Sequence, residues 1–151
     1  MSAQTAEDVQ LSLKLFVVLS KASKVIMEGA VRDMKKYGVS PTEFTLMELL
    51  YHKGDFPLQQ IGNKILMTSG SITYNIDKLE NKGLIRRIPS EEDRRVIYAR
   101  LTEEGRKLIE RIFPLHSQAI HQLLSGLTDE EKETLIPLLK KLGIAAQQQL
   151  G

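Results

Sequence analysis

Apolar residues recur at helical spacing along most of the chain. Over residues 7–37, Phe16, Leu19, Ala22, Ile26 and Ala30 follow one another at intervals of three or four, which predicts one long helix ended by Gly38. Ser40, Pro41 and Glu43 then offer a capping hydroxyl, a proline suited to a first helical position and an acid for the first turn. A second helix is expected through Phe44, Leu46, Met47, Leu49, Leu50 and Tyr51, stopping near Gly54. A short third helix opens at Pro57 and runs to about Leu66, and Thr68, Ser69, Gly70 and Ser71 cap a fourth. In that fourth helix Ile72, Ile76 and Leu79 form one buried stripe, and Gly83 is placed to end it in the left-handed conformation.

The period changes after Gly83. Residues 84–88 read as a strand, and residues 96–101 alternate with β-branched and aromatic side chains. The loop between them, 89–95, is too polar to bury, so the two strands form a β-hairpin. Thr102, Glu103 and Glu104 cap a long fifth helix that continues through Ile112, Phe113 and Leu124, with Pro114 expected to kink it. Thr128 to Glu131 reads as a capping box that opens a last helix through Leu135, Leu138, Leu139 and Leu142. The fold class is therefore mainly α with a small β-hairpin.

Composition narrows the chemistry. At 151 residues, with 42 % apolar and 26 % charged side chains, the chain has the balance of a single globular domain. It has no cysteine, so disulfides, thiolate metal sites and cysteine nucleophiles are excluded together. His116 and His121 lie five apart rather than at a ligating spacing and His52 stands alone, so no metal and no cofactor are expected. No nucleophile elbow or glycine-rich phosphate loop occurs, and the acid pairs at helix starts are explained by the helix dipole, so no catalytic residue is expected. The polar start of the chain lacks the features of a secretory signal, and the densest apolar run, 15–19, is far too short for a membrane span. A cytoplasmic location without membrane contact is the expectation.

A short helix, a turn, a helix with a polar front and then a hairpin make the layout of a winged helix-turn-helix. With Ile72, Ile76 and Leu79 inward, Ser69, Gly70, Ser71, Thr73, Tyr74, Asn75 and Lys78 are left on the front and flanks of the fourth helix. Short donors and acceptors at a helix amino end suit phosphates and the base edges of a major groove. The net charge of +2 is too small to identify a partner, but Arg86, Arg87, Arg94 and Arg95 are gathered on the hairpin. An arginine on a protruding loop can enter a narrow minor groove, and the adjacent Asp93 can hold it in place. Double-stranded DNA is the expected partner; the alternative is a protein–protein interaction module using the same helix and wing without specific DNA binding.

The stretch from Asp77 through Leu79, Gly83 and Leu84 to Arg87 resembles the end of the recognition helix and first wing strand of the MarR (multiple antibiotic resistance regulator) family. The continuation is similar to that family's wing signature: Asp93 and Arg95, then a strand ending in Leu101, Thr102 and Gly105. The resemblance implies a homodimer whose winged domains each read half of a pseudo-palindromic operator. It implies that Asp93 and Arg95 are the wing aspartate and minor-groove arginine, with Arg94 an adjacent candidate. It implies a ligand-responsive regulator, a repressor by expectation. Residues 49–55 and 59–62 further resemble regulators of quinone and catechol detoxification, which implies a small phenolic or quinone-like effector.

Independently, the terminal helices carry Leu11, Leu13, Leu15, Phe16, Leu135, Ile136, Leu138, Leu139, Leu142 and Ile144, more apolar surface than one small winged domain can cover. A second copy is expected to cover it. The chain then divides into an amino-terminal dimerisation helix (1–37), a winged helix-turn-helix (38–101) and carboxy-terminal dimerisation helices (102–151). By the family pattern an effector would bind between these parts, and Phe16, Phe44, Met47, Tyr51, His52 and Phe113 are candidates to line its pocket.

Overall fold

In a computed structural model the chain is described for residues 5–65 and 69–151. The order is α1 (Ala6–Lys35), α2 (Pro41–Lys53), β1 (Phe56–Pro57), α3 (Leu58–Ile65), α4 (Ser69–Asn81), β2 (Ile85–Pro89), β3 (Ile97–Leu101), α5 (Glu103–Leu123) and α6 (Asp129–Gln149). Caps set many of these boundaries. Thr5 and Asp8, Ser40 and Glu43, and Thr128 and Glu131 each form a reciprocal capping box, in which hydroxyl and carboxylate satisfy amides that the first turn leaves open. The cap expected from Thr68 lies outside the described residues. Helix α5 runs on through Pro114.

The hairpin is present, with Ile85 facing Leu101 and Pro89 facing Ile97 across an antiparallel ladder. Its sheet has a third member that periodicity does not reveal. Phe56 and Pro57 add to the free edge of β3, opposite Ala99 and Tyr98, giving the order β1-β3-β2. Pro57 was expected to open a helix; it ends a strand instead, and α3 begins one residue later. Two residues are too few to show alternation.

The core lies under the winged region. Phe44, Leu46, Met47 and Leu50 of α2, Ile61 of α3, Ile72, Ile76 and Leu79 of α4, Ile85 and Ala99 of the sheet, and Ile109 and Ile112 of α5 are all buried. Gly83 adopts φ +75 and turns the chain from α4 into β2. The root of the wing is then stitched to α5. The Thr102 amide donates to the Leu84 carbonyl at 3.1 Å, and the Thr102 hydroxyl donates to the Gly83 carbonyl at 2.6 Å while accepting from the Gly105 amide at 3.0 Å. A Cβ on Gly105 would stand 2.0 Å from the Leu84 carbonyl oxygen, so only glycine fits there.

The outer helices are different. Helix α6 has no buried residue, and α1 buries only Ala30, Asp33 and Met34. Where α1 does pack, it packs closely: a Cβ on Gly29 would meet Leu123 of α5 at 2.6 Å. Among the described residues no helix is long and apolar enough to cross a membrane.

Candidate nucleic-acid interface

The stripe of Ile72, Ile76 and Leu79 anchors α4 in the core and fixes which side chains it turns outward. Ser71, Thr73 and Tyr74 are exposed, Tyr74 at 63 %. Ser69 and Gly70 open the helix. Asn75 departs from expectation. It is only 7 % exposed, and its amide nitrogen donates to the Ser71 carbonyl at 2.8 Å, one turn back on the same helix. Its position beside Ile76 turns it toward the protein rather than the front, so it is corrected from a front-facing residue to an internal one. Lys78 lies on a flank, with Nζ 3.6 Å from Glu43 Oε1 and 5.5 Å from the centre of the Tyr74 ring.

The wing holds its arginines in three ways. At the tip, Asp93 Oδ1 accepts from the Arg95 amide at 3.0 Å and from Nε at 3.1 Å, while Oδ2 accepts from Nη2 at 3.2 Å. These bonds hold the Asp93 carboxyl below the usual carboxylate range. Gln59 of α3 donates to the Arg95 carbonyl at 3.0 Å, tying the tip to the helix-turn-helix. The Arg95 side chain itself stays 90 % exposed. Arg86 and Arg94 are also exposed, and their guanidinium groups have no ion pair among the described residues. Arg87 is the exception. Its guanidinium bonds Glu80 Oε1 at 2.6 Å and Asp77 Oδ1, and its amide donates to Glu80 Oε2 at 3.1 Å. Expected with the free wing arginines, Arg87 is instead a brace between β2 and α4, because the acids interleaved with the basic residues along the chain lie next to it in space. Arg100 is taken up in a similar way by Asp55, which accepts from Nε and Nη2 at 2.7–3.1 Å and closes β3 onto the turn before β1.

Two buried polar clusters were not visible in the sequence. Glu43 is 1 % exposed, and its Oε2 accepts from Lys82 Nζ at 2.6 Å. Burial pushes the Glu43 carboxyl up, but the bond and charge of Lys82 and the contacts with Ser40 outweigh it, leaving the group below its ordinary value. The second cluster joins α1 to α5: His116 Nδ1 lies 2.8 Å from Asp33 Oδ2, with both side chains nearly enclosed and the Phe44 ring 4.6 Å from the imidazole. Burial, followed by the charge of Asp33 and a hydrogen bond to it, raises the nearby Tyr37 hydroxyl above its ordinary value. His116 carries the one legible hint, a histidine among apolar positions of an amphipathic helix. Its partner is 83 residues away, beyond the reach of any spacing rule.

The six candidate pocket residues are only partly brought together. Tyr51, His52 and Phe113 form an edge-to-face series, with ring centres 5.3 Å and 5.2 Å apart. Phe44 and Met47 are fully packed in the core. Phe16 stands 66 % exposed on α1, where it lines a shallow groove with Asp8, Val9, Ser12 and Leu13 and none of the other five. In that groove it therefore stands apart from them. Among the described residues no group of three or more histidines and acids could hold a metal ion.

Comparison with known proteins gives consistent results. The model of the MarR family matches residues 39–97. The HTH-type transcriptional regulator MhqR of Bacillus subtilis (strain 168) is 52 % identical over 137 residues, covering 91 % of this chain and 94 % of that protein. The uncharacterized HTH-type transcriptional regulator YkoM of the same organism is 43 % identical over 144 residues, covering 95 % and 94 %. Among solved structures, AbsC, a MarR family transcriptional regulator from Streptomyces coelicolor, has the same fold at a TM-score of 0.83 and 18 % identity, covering 98 % of this chain and 99 % of that one. A mutant MarR from E. coli complexed with operator DNA matches at a TM-score of 0.79 and 23 % identity, covering 85 % and 93 %.

Proposed function

Because the chain belongs to the MarR family of transcriptional regulators, we propose that it is a cytoplasmic repressor that binds a pseudo-palindromic operator as a homodimer. The observation that carries this reading is that two elements of the winged region are exposed together. The front of α4 presents Ser71, Thr73 and Tyr74, and the wing tip presents Arg95, oriented by Asp93 yet open to solvent. An α-helix of this kind fits a major groove, and an aspartate-held guanidinium fits the narrow, electronegative minor groove next to it. The likeness to a regulator structure that contains operator DNA supports the same placement.

Two winged domains must be held about one DNA turn apart to read two half-sites. The apolar faces of α1 and α6, with Leu11, Phe16, Leu138 and Ile144 more than half exposed, supply a surface for a second copy. We assign the chain no catalytic step. Occupation of the promoter would block transcription, and a small phenolic or quinone-like effector that favours a different spacing of the two winged domains would release it.

Binding to duplex fragments selected from a random pool, followed by fluorescence anisotropy at increasing salt, tests the reading. Roughly 6–10 phosphate contacts give a loss of about 10³–10⁵ in affinity between 50 mM and 200 mM salt. Absence of binding to any duplex at low salt sinks the DNA-binding reading and leaves the protein-interaction module. Adding candidate phenols and quinones to the bound complex tests the effector, and unchanged affinity with all of them removes that class.

A further inference from the structure

Glu43 of α2 meets the carboxy-terminal end of α4, and it is the most enclosed ionisable side chain among the described residues. Its carboxylate serves two helices at once. Oε1 accepts from the Ser40 amide at 3.3 Å to close the capping box of α2, with Lys78 Nζ 3.6 Å away. Oε2 accepts from Lys82 Nζ at 2.6 Å. Lys82 follows directly on the last residue of α4, and the same Nζ donates to the Gly38 carbonyl at 3.3 Å in the turn between α1 and α2.

The cap alone does not require a charge, since a glutamine accepts the same amide bond. An unpaired carboxylate at this depth would carry a large desolvation cost, so the lysines are what make the ionised group tolerable. The lysines keep much of their solvation, being 40 % and 38 % exposed. What the arrangement fixes is orientation. Apolar packing of Ile72, Ile76 and Leu79 holds α4 in the core but is not directional, whereas charge-assisted hydrogen bonds constrain rotation about the helix axis. Arg87 supplies a matching constraint from the wing side through Asp77 and Glu80.

We propose that Glu43 is a positioning residue for operator recognition, clamping the carboxy-terminal end of α4 through Lys82 and Lys78 and so fixing the angle at which Ser71, Thr73 and Tyr74 meet the bases. The proposal rests on the DNA-binding reading. It makes Lys78 and Lys82 partners of the clamp rather than phosphate contacts.

The full-length chain and its variants Glu43→Gln, Lys82→Met and the double variant are compared on the selected operator and on a random duplex of equal length, across a salt series. Glu43→Gln keeps the cap and is expected to weaken operator binding about tenfold, with random-duplex affinity falling less than about threefold. The double variant is expected to bind no more weakly than the worse single one, as for two halves of one interaction. Lys82→Met is expected to leave the salt slope unchanged, where loss of a phosphate contact lowers it by about 1. Amide hydrogen exchange of residues 69–81 is expected to speed up in Glu43→Gln while that of residues 103–123 holds.

Equal loss on both DNAs, additive losses, a lowered salt slope in Lys82→Met, or unchanged exchange in α4 would each overturn the clamp. A wild-type chain that binds no duplex overturns the DNA-binding reading instead, and the exchange measurement then still decides whether Glu43 holds α4.

Discussion

The winged centre and the helical arms use the same kinds of residue to opposite ends. In the centre, Leu46, Leu50, Ile61, Ile76, Leu79 and Ile112 are sealed from solvent by neighbours on other elements. In the arms, Leu135, Leu138, Leu139 and Leu142 sit on a helix with no buried residue, between 38 % and 56 % exposed. Both sets have the periodicity of an amphipathic helix. The difference is that the first set is covered from within the chain and the second is left uncovered by it, so a hydrophobic stripe specifies burial without specifying by whom. On the proposed dimer, the arms complete their core only when two chains meet.

The sharpest way to break this contrast is to place charge on the arms. Leu138→Asp combined with Leu142→Asp is expected to halve the solution mass measured by light scattering while leaving the far-ultraviolet spectrum helical. An unchanged mass would show that these leucines are not at a subunit contact. Truncation should separate the two regions next. Ile76→Ala is expected to cost about 2–5 kcal/mol in urea unfolding. Leu138→Ala in the charge-dissociated background should cost no more than about 0.5 kcal/mol.

Within the centre, the wing divides in the same manner between exposed and internal side chains. Arg95→Ala is expected to cost about 1–3 kcal/mol of operator binding with little change in stability. Arg87→Ala should reverse that order, lowering the melting temperature by exposing Asp77 and Glu80 to each other; equal effects of the two on binding would erase the distinction.

The smallest effect is the pH dependence of Glu43. Its carboxyl is lowered in the folded chain, so its stabilisation is complete above the ordinary glutamate value of about 4.3 and drains away as pH falls through the lowered one. The melting-temperature gap between wild type and Glu43→Gln is therefore expected to narrow as pH falls below the ordinary glutamate value. A gap that widens toward acid would contradict the assignment.

Much of this organisation was legible in the sequence because it is local. Ser40, Thr102 and Thr128 announce helix starts within a few residues of the amides they cap, and Gly83 marks its own turn. The inward stripe of α4 followed from spacing alone. The aspartate at the wing tip lies two residues from the arginine it holds. What escaped was pairing across the fold. Arg87 reads with the other wing arginines because its partners Glu80 and Asp77 stand seven and ten residues back, on another element. Glu43 was visible as a cap but not as the counter-ion of Lys82, 39 residues on. Asn75 looked polar and therefore outward, although an amide that bonds its own helix can be buried at little cost. Strand β1 owes its existence wholly to the edge of β3, so nothing within Phe56 and Pro57 could signal it.

The junction at Gly105 has one more consequence. Carbonyl and helix touch there with no space for even a methyl group, and Thr102 binds both sides of the seam. A linker with slack would let the hairpin swing on its own. This one works as a rigid splice, so the base of the hairpin follows α5 wherever α5 goes. A tilt of that helix is felt at the base of the hairpin, while the tip that carries Arg95 stays tied to α3 through Gln59.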